Sequence, residues 1–265
     1  MEFGLAQIGA VTFEGYWEDD IFMRIRQSGR FFEQEILERW EPWYREAEVI
    51  LDAGANLGNH SIYWAVHTSA GKIVAFEPYE ANFELLKRNI ARNTAGQVVC
   101  EQKAAGSRSG QVRLAAPVER SSLGNASFCY CENEEMTEDA VAEAVSLDDY
   151  VREAGLGQVD FVKIDTEGFE LEVLRGMDSL LYQFSPAVWV ETEESHAAET
   201  VRYMERHGYF LADVQRMNCL FLHPRKFPDA RPMETGKMLA ALLEASERAV
   251  INEIRYEELK HRRLL

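Results

Sequence analysis

Apolar residues in the middle of the chain follow two alternating patterns: short continuous runs, and longer segments with apolar positions three or four residues apart. The short runs predict buried strands, and they lie at 49–54, 72–78, 97–102, 160–165 and 187–192. The segments between them predict amphipathic helices; in 80–93, for example, Phe83, Leu86 and Ile90 share one face. Strands that alternate with helices indicate βαβ units and a parallel sheet with right-handed crossovers.

The alternation ends with a change of direction. Helices are predicted at 60–70, at 169–181 and at 196–207, where Gly208 ends the last one. The segments 209–214 and 218–224 then predict two strands close enough in sequence to pair antiparallel. A main α/β domain is therefore predicted over 48–224.

An N-terminal extension, 1–47, precedes this domain. Its pattern predicts two short strands joined by a turn at 18–20, followed by a helix over 31–44 whose extension Pro42 limits. We expect this strand and helix extension to cap the substrate.

Two further segments interrupt the main pattern. The region 104–145 predicts two strands and an acidic stretch, which is either a solvated loop or a mobile lid beside the site. A helical extension is predicted over 225–265, with a face that would mediate self-association into a homo-oligomer or cover an edge. The apolar residues of that face are Met238, Leu239, Leu242 and Leu243.

Charge narrows the range of partners. The 265 residues carry a formal net charge of −17, which repels nucleic acid and anionic membrane surfaces and mildly favours a neutral or cationic substrate. No stretch approaches the length of a transmembrane helix, and the N-terminus lacks the pattern of a signal peptide. We therefore expect a cytoplasmic protein with reduced cysteines. Cys129 and Cys131 form a C-x-C pair without the second pair or well-placed His that a zinc site needs.

A glycine-rich turn follows the first strand of the main domain. Asp52, Gly54 and Gly58 lie between an apolar run and a helix. Glycine lets the backbone approach a ligand closely, and the helix N-terminus supplies free N–H groups. The spacing is D-x-G-A-N-x-G, not the G-x-G-x-x-G that places a pyrophosphate on a helix. An acidic residue here suits the cationic methionine end of S-adenosylmethionine.

Acidic residues also end the second and fourth strands. Glu77 ends the second strand, where a carboxylate accepts ribose hydroxyls or, alternatively, forms an ordinary salt bridge. Asp165 and Glu167 stand where the fourth strand gives way to a helix, and one of them would act as general base on a hydroxyl. The alternative is helix capping by Asp165 or Thr166, with Glu167 and Glu170 favouring the positive helix end. Capping and catalysis are compatible.

Four ordered blocks resemble the FkbM-type methyltransferase family: LDAGANLGNHSIYWA, GKIVAFEPYEANFELLKRNIARN, VSLDDYV and VDFVKIDTEGFELEVLRGM. The resemblance implies a Rossmann-like class I methyltransferase fold, whose seven-stranded, mostly parallel sheet has an antiparallel last strand and helices on both faces. It also implies S-adenosylmethionine-dependent O-methylation of a hydroxyl on a saccharide or small natural product, with S-adenosylhomocysteine as the product.

The resemblance assigns expected roles to individual residues. Those implied for cofactor binding are Asp52, Gly54, Ala55, Asn56 and Gly58 at the methionine end, Glu77 at the ribose, and Lys103 and Ala104 at the adenine. Asp165 and Glu167 match the K-I-D-x-E-G block at the transfer site, and His60, which opens the first helix, is the third candidate base. Glu191 raises the alternative of an acidic cluster for a divalent cation, and no metal is assigned.

Three alternatives remain open. The same cofactor site would serve methylation of nitrogen or carbon, and a non-catalytic adenosylmethionine-binding module would also keep it. A nicotinamide-dependent dehydrogenase is disfavoured by the missing G-x-G-x-x-G spacing. We expect the residues that select the small-molecule or saccharide acceptor to lie in 1–47 and 104–145, outside the recognisable blocks.

Overall fold

The computed structural model describes residues 2–115, 127–130, 141–192 and 194–234. The chain begins with an antiparallel hairpin and two helices. These elements are β1 (Phe3–Ile8), β2 (Val11–Tyr16), α1 (Asp20–Ser28) and α2 (Gln34–Trp40), followed by a 3₁₀ turn, Glu41–Trp43.

The N-terminal extension differs from the predicted pattern in its first half and agrees with it in its second. The prediction of a turn at 18–20 between two strands is wrong, because the hairpin lies earlier and a helix starts there. The Asp19 carboxylate caps α1 by accepting the Phe22 N–H at 2.7 Å, so the acidic run begins a helix. The helix predicted over 31–44 is present as the shorter α2, Gln34–Trp40, and Pro42 lies in the 3₁₀ turn that follows it.

The main domain starts with the predicted alternation of strands and helices. Its first elements are β3 (Val49–Ala53), α3 (Asn59–His67), β4 (Lys72–Phe76), α4 (Glu80–Asn93) and β5 (Val98–Glu101). A smaller unit follows, formed by β6 (Ala104–Gly106), β7 (Gly110–Ala115), β8 (Ser127–Tyr130), β9 (Val141–Ser146) and α5 (Leu147–Glu153). The last elements are β10 (Phe161–Ile164), α6 (Glu170–Arg175), α7 (Asp178–Phe184), β11 (Ala187–Glu191), α8 (Glu194–Arg206), β12 (Phe210–Gln215) and β13 (Asn218–Leu222).

A seven-stranded sheet organises the molecule, in the order β12-β13-β11-β10-β3-β4-β5. Neighbouring strands from β11 to β5 run parallel, whereas β13 is antiparallel to both β11 and β12. The predicted fold class, including the antiparallel last strand, is confirmed. Because β3 and β10 are adjacent at the centre, the segments after them share one edge of the sheet, where ligands bind in open α/β folds.

A second sheet, in the order β6-β9-β7-β8, lies beside the main one. Its strand β9 is not among the strands predicted for 104–145. The single helix predicted over 169–181 is two helices, because the small sheet approaches them closely: a Cβ at Gly176 would lie 1.9 Å from the carbonyl oxygen of Gly106. Most of the predicted acidic loop or lid, and the tail helix beyond 234, lie outside the described residues.

Alternate residues of the central strands pack on opposite faces of the main sheet. Phe161 joins the core cluster under the N-terminal extension, and Val162 joins the cluster on the other face. On the first face the rings of Trp40 and Trp189 meet edge to face at 4.9 Å, which fixes α2 against the sheet. The N-terminal extension is therefore packed close to the ligand-binding edge. Within the described ranges, no helix has both the length and the apolar character needed to cross a membrane.

Candidate active site

The loop after β3 is held against both neighbouring strands. The N–H groups of Gly54 and Ala55 donate to the carbonyl of Phe76 at 3.0 and 2.9 Å. Gly54 has φ +87°, and a Cβ there would stand 1.7 Å from the carbonyl oxygen of Asp165. Only glycine fits at this position, because any side chain would displace the backbone of the strand that carries Asp165.

Glu77 braces the same loop from the end of β4. It is 6% exposed, and its two carboxylate oxygens accept the N–H groups of Asn56 and Tyr79, both at 2.9 Å. Burial raises the pKa of Glu77 to about 7, against the lowering effect of these two hydrogen bonds; nearby Asp52 and Asp165 raise it further. This carboxyl therefore titrates near neutral pH while it lines the cleft.

The end of β10 carries a buried ion pair. Lys163, 1% exposed, donates to Asp165 at 2.7 Å. Burial alone would raise the pKa of Asp165, but the Lys163 ammonium and a hydrogen bond with Glu191 hold it below its usual value. The charge of Asp165, with burial, raises the pKa of Glu191 well above its usual value. Of the two carboxyl groups, Asp165 therefore has the lower pKa and Glu191 the higher.

Glu170, the first residue of α6, braces the turn that precedes the helix. Its Oε1 accepts the N–H groups of Thr166 and Gly168 at 3.1 and 2.9 Å. The N-cap of α6 is Phe169 and carries no side-chain cap hydrogen bond, so the alternative of helix capping by Asp165 or Thr166 is wrong. Glu167, with φ +52°, lines the cleft. Helix capping therefore does not account for Asp165.

His60 lies in the first turn of α3 and also lines the cleft. Its Nε2 is 3.3 Å from Oε2 of Glu33, with 8% and 4% of the two side chains exposed. Its ring meets that of Trp189 edge to face at 5.1 Å. The contact places a residue of the N-terminal extension directly behind a candidate base.

The cleft between these segments encloses about 740 Å³, including the part open to solvent. The predicted site residues that line it together are Gly54, Ala55, Asn56, His60, Glu77, Ala104, Asp165 and Glu167. Asp52, Gly58 and Lys103 are not among the lining residues. Asp52 is fully buried and accepts the Ser61 hydroxyl at 2.6 Å, and Lys103 pairs with Glu143 at 2.9 Å. The roles predicted for these three residues stay predictions.

Several residues of the cleft were not among the predicted site residues. Tyr79 and Asn82 lie directly after the second strand, where their position at the sheet edge was a usable signal. Ile21 and Phe32 come from the N-terminal extension, as does Glu33 behind His60. The N-terminal extension was expected to cap the substrate, but no pattern in it singled out these three residues. In the described part of the chain, no group of three or more His, Cys, Asp or Glu side chains is arranged to hold a metal ion.

An open α/β sheet with a glycine-rich loop at its ligand edge defines a Rossmann-like fold. The family model described as the methyltransferase FkbM domain matches residues 52–211, which is more than half of the chain. The chain therefore belongs to the FkbM methyltransferase family.

Curated relatives and a solved structure are similar over part of their length. Methyltransferase sdnD of Sordaria araneosa is 32% identical over 173 residues, covering 55% of this chain and 66% of the relative. Hexuronic acid methyltransferase AglP of Haloferax volcanii is 28% identical over 151 residues, covering 56% and 58%. The alignments thus leave about a third or more of each relative unmatched. The crystal structure of methyltransferase FkbM from Methylobacillus flagellatus overlaps with a TM-score of 0.47 at 17% identity, covering 67% of this chain and 44% of that one.

Proposed function

We propose that this methyltransferase transfers the methyl group of S-adenosylmethionine to a hydroxyl oxygen of a saccharide or small natural product. The observation that carries the proposal is that the loop after β3, Glu77 and the three candidate bases line the same cleft. Cofactor and acceptor would therefore meet where Asp165, Glu167 and His60 are within reach.

An unpartnered acceptor in the loop suits the methionine end of this cofactor. Among the described residues that line the cleft, Asn56 carries a buried Oδ1 without a hydrogen-bond partner. A buried acceptor left without a hydrogen bond costs about 1–3 kcal/mol of stability. The ammonium group of the cofactor would donate the missing hydrogen bond. Gly54 keeps the loop free of side-chain bulk, and Glu77 retains lone pairs for ribose hydroxyls. The residues present fit S-adenosylmethionine.

Bound S-adenosylmethionine would supply a methyl group activated by its sulfonium. The part left to the protein is to hold the acceptor in line and to take its proton, and such positioning contributes roughly 7–11 kcal/mol to catalysis. Because Lys163 keeps the pKa of Asp165 low, Asp165 is a weak base and is better suited to accept a hydrogen bond from the substrate. Proton removal then falls to His60 or Glu167.

The acidic lining favours a hydroxyl-rich acceptor. Carboxylates are acceptors only, so they pair with the hydroxyl donors of a sugar and repel an additional anionic group. The relative from Haloferax is named as a hexuronic acid methyltransferase, which supports a saccharide acceptor here. The charges of this cleft favour a neutral sugar over a uronate.

Cofactor binding is the first test. Isothermal titration of the protein with S-adenosylhomocysteine should show binding that Glu77→Ala weakens strongly. Tyr182→Ala, on the exposed surface outside the cleft, should leave the affinity unchanged. NAD should not bind. A folded protein that binds NAD, or that fails to bind S-adenosylhomocysteine, would refute the proposal.

Acceptor chemistry is the second test. Methyl transfer from labelled S-adenosylmethionine should be measured with a neutral methyl hexoside, the matching hexuronide and an amino sugar. We expect transfer to the neutral hexoside, with a product that resists mild alkali because it is an ether. An alkali-labile product would indicate an ester on a carboxylate, and transfer only to the amino sugar would indicate N-methylation.

A further inference from the structure

Glu33 is held in an unfavourable backbone conformation. Its φ is +56° and its ψ +26°, in the left-handed region that a long side chain adopts only at a cost of about 1–2 kcal/mol. Strain of this kind persists where surrounding structure enforces it and is concentrated at functional sites. The residue lies outside the region that the family model matches, 52–211.

Two sets of hydrogen bonds enforce the position of Glu33. The Asn59 side chain, next to His60, clamps the backbone of Phe32: Oδ1 accepts its N–H at 2.9 Å and Nδ2 donates to its carbonyl at 3.0 Å. Oε1 of Glu33 accepts Nδ2 of Asn218 at 3.0 Å, and Asn218 in turn accepts the indole N–H of Trp189. The strained residue is thereby locked between α3 and the sheet.

This lock leaves one carboxylate oxygen for His60. Oε2 of Glu33 and Nε2 of His60 are both buried and have no other hydrogen-bond partner among the described residues. At 3.3 Å from each other, they lack only the alignment of a full hydrogen bond, and catalytic hydrogen bonds are often long before substrate binds. A buried carboxylate facing one ring nitrogen fixes the tautomer in which that nitrogen carries the proton.

We infer that Glu33 is a positioning residue that holds His60 with its proton on Nε2, so that Nδ1 is the base for the acceptor hydroxyl. This inference rests on the proposed function for its chemistry. As the acceptor oxygen forms its bond to the methyl carbon, the methyl–sulfur bond breaks and its electron pair goes to sulfur. The hydroxyl proton passes to Nδ1, and the Glu33 carboxylate balances the resulting imidazolium charge.

Other charged groups near His60 do not replace this arrangement. Asp165 interacts electrostatically with His60, but its carboxylate is engaged by Lys163 at 2.7 Å and by Glu191. The imidazole also packs against Trp64 and Trp189, which carry no charge and whose ring centroids lie 5.9 and 5.1 Å away. Within the described ranges, Glu33 is the carboxylate that lies at ion-pair distance from the imidazole.

The tautomer can be measured without an acceptor. In histidine-labelled protein saturated with S-adenosylhomocysteine, nitrogen-15 spectra should show His60 protonated at Nε2, with the signal assigned by its loss in His60→Gln. Glu33→Gln should shift or abolish the Nε2 proton signal, and Glu33→Asp should retain part of it. Glu35→Gln, an exposed neighbour, should change nothing. A His60 spectrum identical in Glu33→Gln and the wild type would overturn the inference.

Turnover gives an independent measurement once an acceptor is found. Glu33→Gln should lower kcat by about 100-fold, the lower end of what general-base catalysis contributes, with KM for S-adenosylmethionine unchanged. Glu33→Gln combined with His60→Gln should be no slower than His60→Gln alone, because the two act as a unit. Additive losses, or full activity of Glu33→Gln, would contradict the inference. Absence of S-adenosylhomocysteine binding by the wild type would instead refute the proposed function, and the tautomer measured without it would still decide the role of Glu33.

Discussion

A methyl group at position 54 would collide with the backbone of the transfer-site strand. In Gly54→Ala the new Cβ would stand 1.7 Å from the Asp165 carbonyl oxygen, whereas real Cβ contacts essentially never fall below 3.0 Å. The backbone must therefore move by more than 1 Å. The positive φ adds about 1–2 kcal/mol, and the forced displacement adds about 1–3 kcal/mol, as for other overpacked interiors.

Gly9→Ala is the matched control for this change. Gly9 also has a positive φ, +56°, but a Cβ at this position would have nothing within 4 Å of it. Both changes remove the same unfolded-chain freedom, so that effect cancels in the comparison. Urea denaturation followed by circular dichroism should give a loss of unfolding free energy about 1–3 kcal/mol larger for Gly54→Ala than for Gly9→Ala. Equal losses in the two variants would refute the close approach of the two strand ends.

Three further predictions follow from other buried groups. Because the pKa of Glu77 is about 7, the affinity for S-adenosylhomocysteine should rise from about pH 6 to about pH 8 as the carboxylate forms. Titration calorimetry should show that the Glu77→Gln variant binds S-adenosylhomocysteine weakly at both pH values. Lys163→Met leaves the Asp165 charge buried and should lower the unfolding free energy by about 3–5 kcal/mol, whereas Lys226→Met, in a more exposed pair, should cost about 1 kcal/mol or less. Asn59→Ala removes both side-chain hydrogen bonds to the backbone of Phe32. It should lower the unfolding free energy by about 1–3 kcal/mol in the same denaturation assay.

The sequence predicted best those elements whose form depends on local pattern. The helix over 80–93 has the predicted bounds, and the central strands lie where their apolar runs are, because a strand buried on both faces needs a continuous run. The antiparallel end of the sheet followed from two strands too close in sequence for a crossover helix.

The sequence predictions were wrong where the local pattern was read without the tertiary contacts that determine the secondary structure. The prediction of one helix over 169–181 passed over Gly176, which is a local signal for a helix end and is the C-cap of α6. The close approach of the small sheet at this glycine is a tertiary contact that the local pattern does not show. The acidic run after Tyr16 is compatible with a turn or a helix cap, and the Asp19 hydrogen bond selects the cap.

The candidate site divides in the same way. The strand-end residues Gly54, Glu77 and Asp165 could be found because parallel strands bring their carboxyl ends to one edge. Glu33 could not be found from the sequence, because many residues separate it from His60. Its position depends on tertiary contacts with Asn59 and Asn218.

The conformation of Glu33 also bears on which segments of the chain bind the cofactor and which orient the base. A glycine at position 33 would relieve the left-handed backbone, yet the position carries a long side chain whose carboxylate reaches past the cleft wall to His60. A functional role for the carboxylate explains why this strained conformation is kept. An unstrained residue would fill a purely structural role at a lower free-energy cost. On this argument the segment matched by the family model, which includes His60, would hold the methyl donor. The N-terminal extension lines the cleft with Ile21 and Phe32 and would supply the group that orients the base. Acceptor selection and proton removal would then be coupled through one segment, so that changes in the extension alter which hydroxyl is methylated without altering how the cofactor is held.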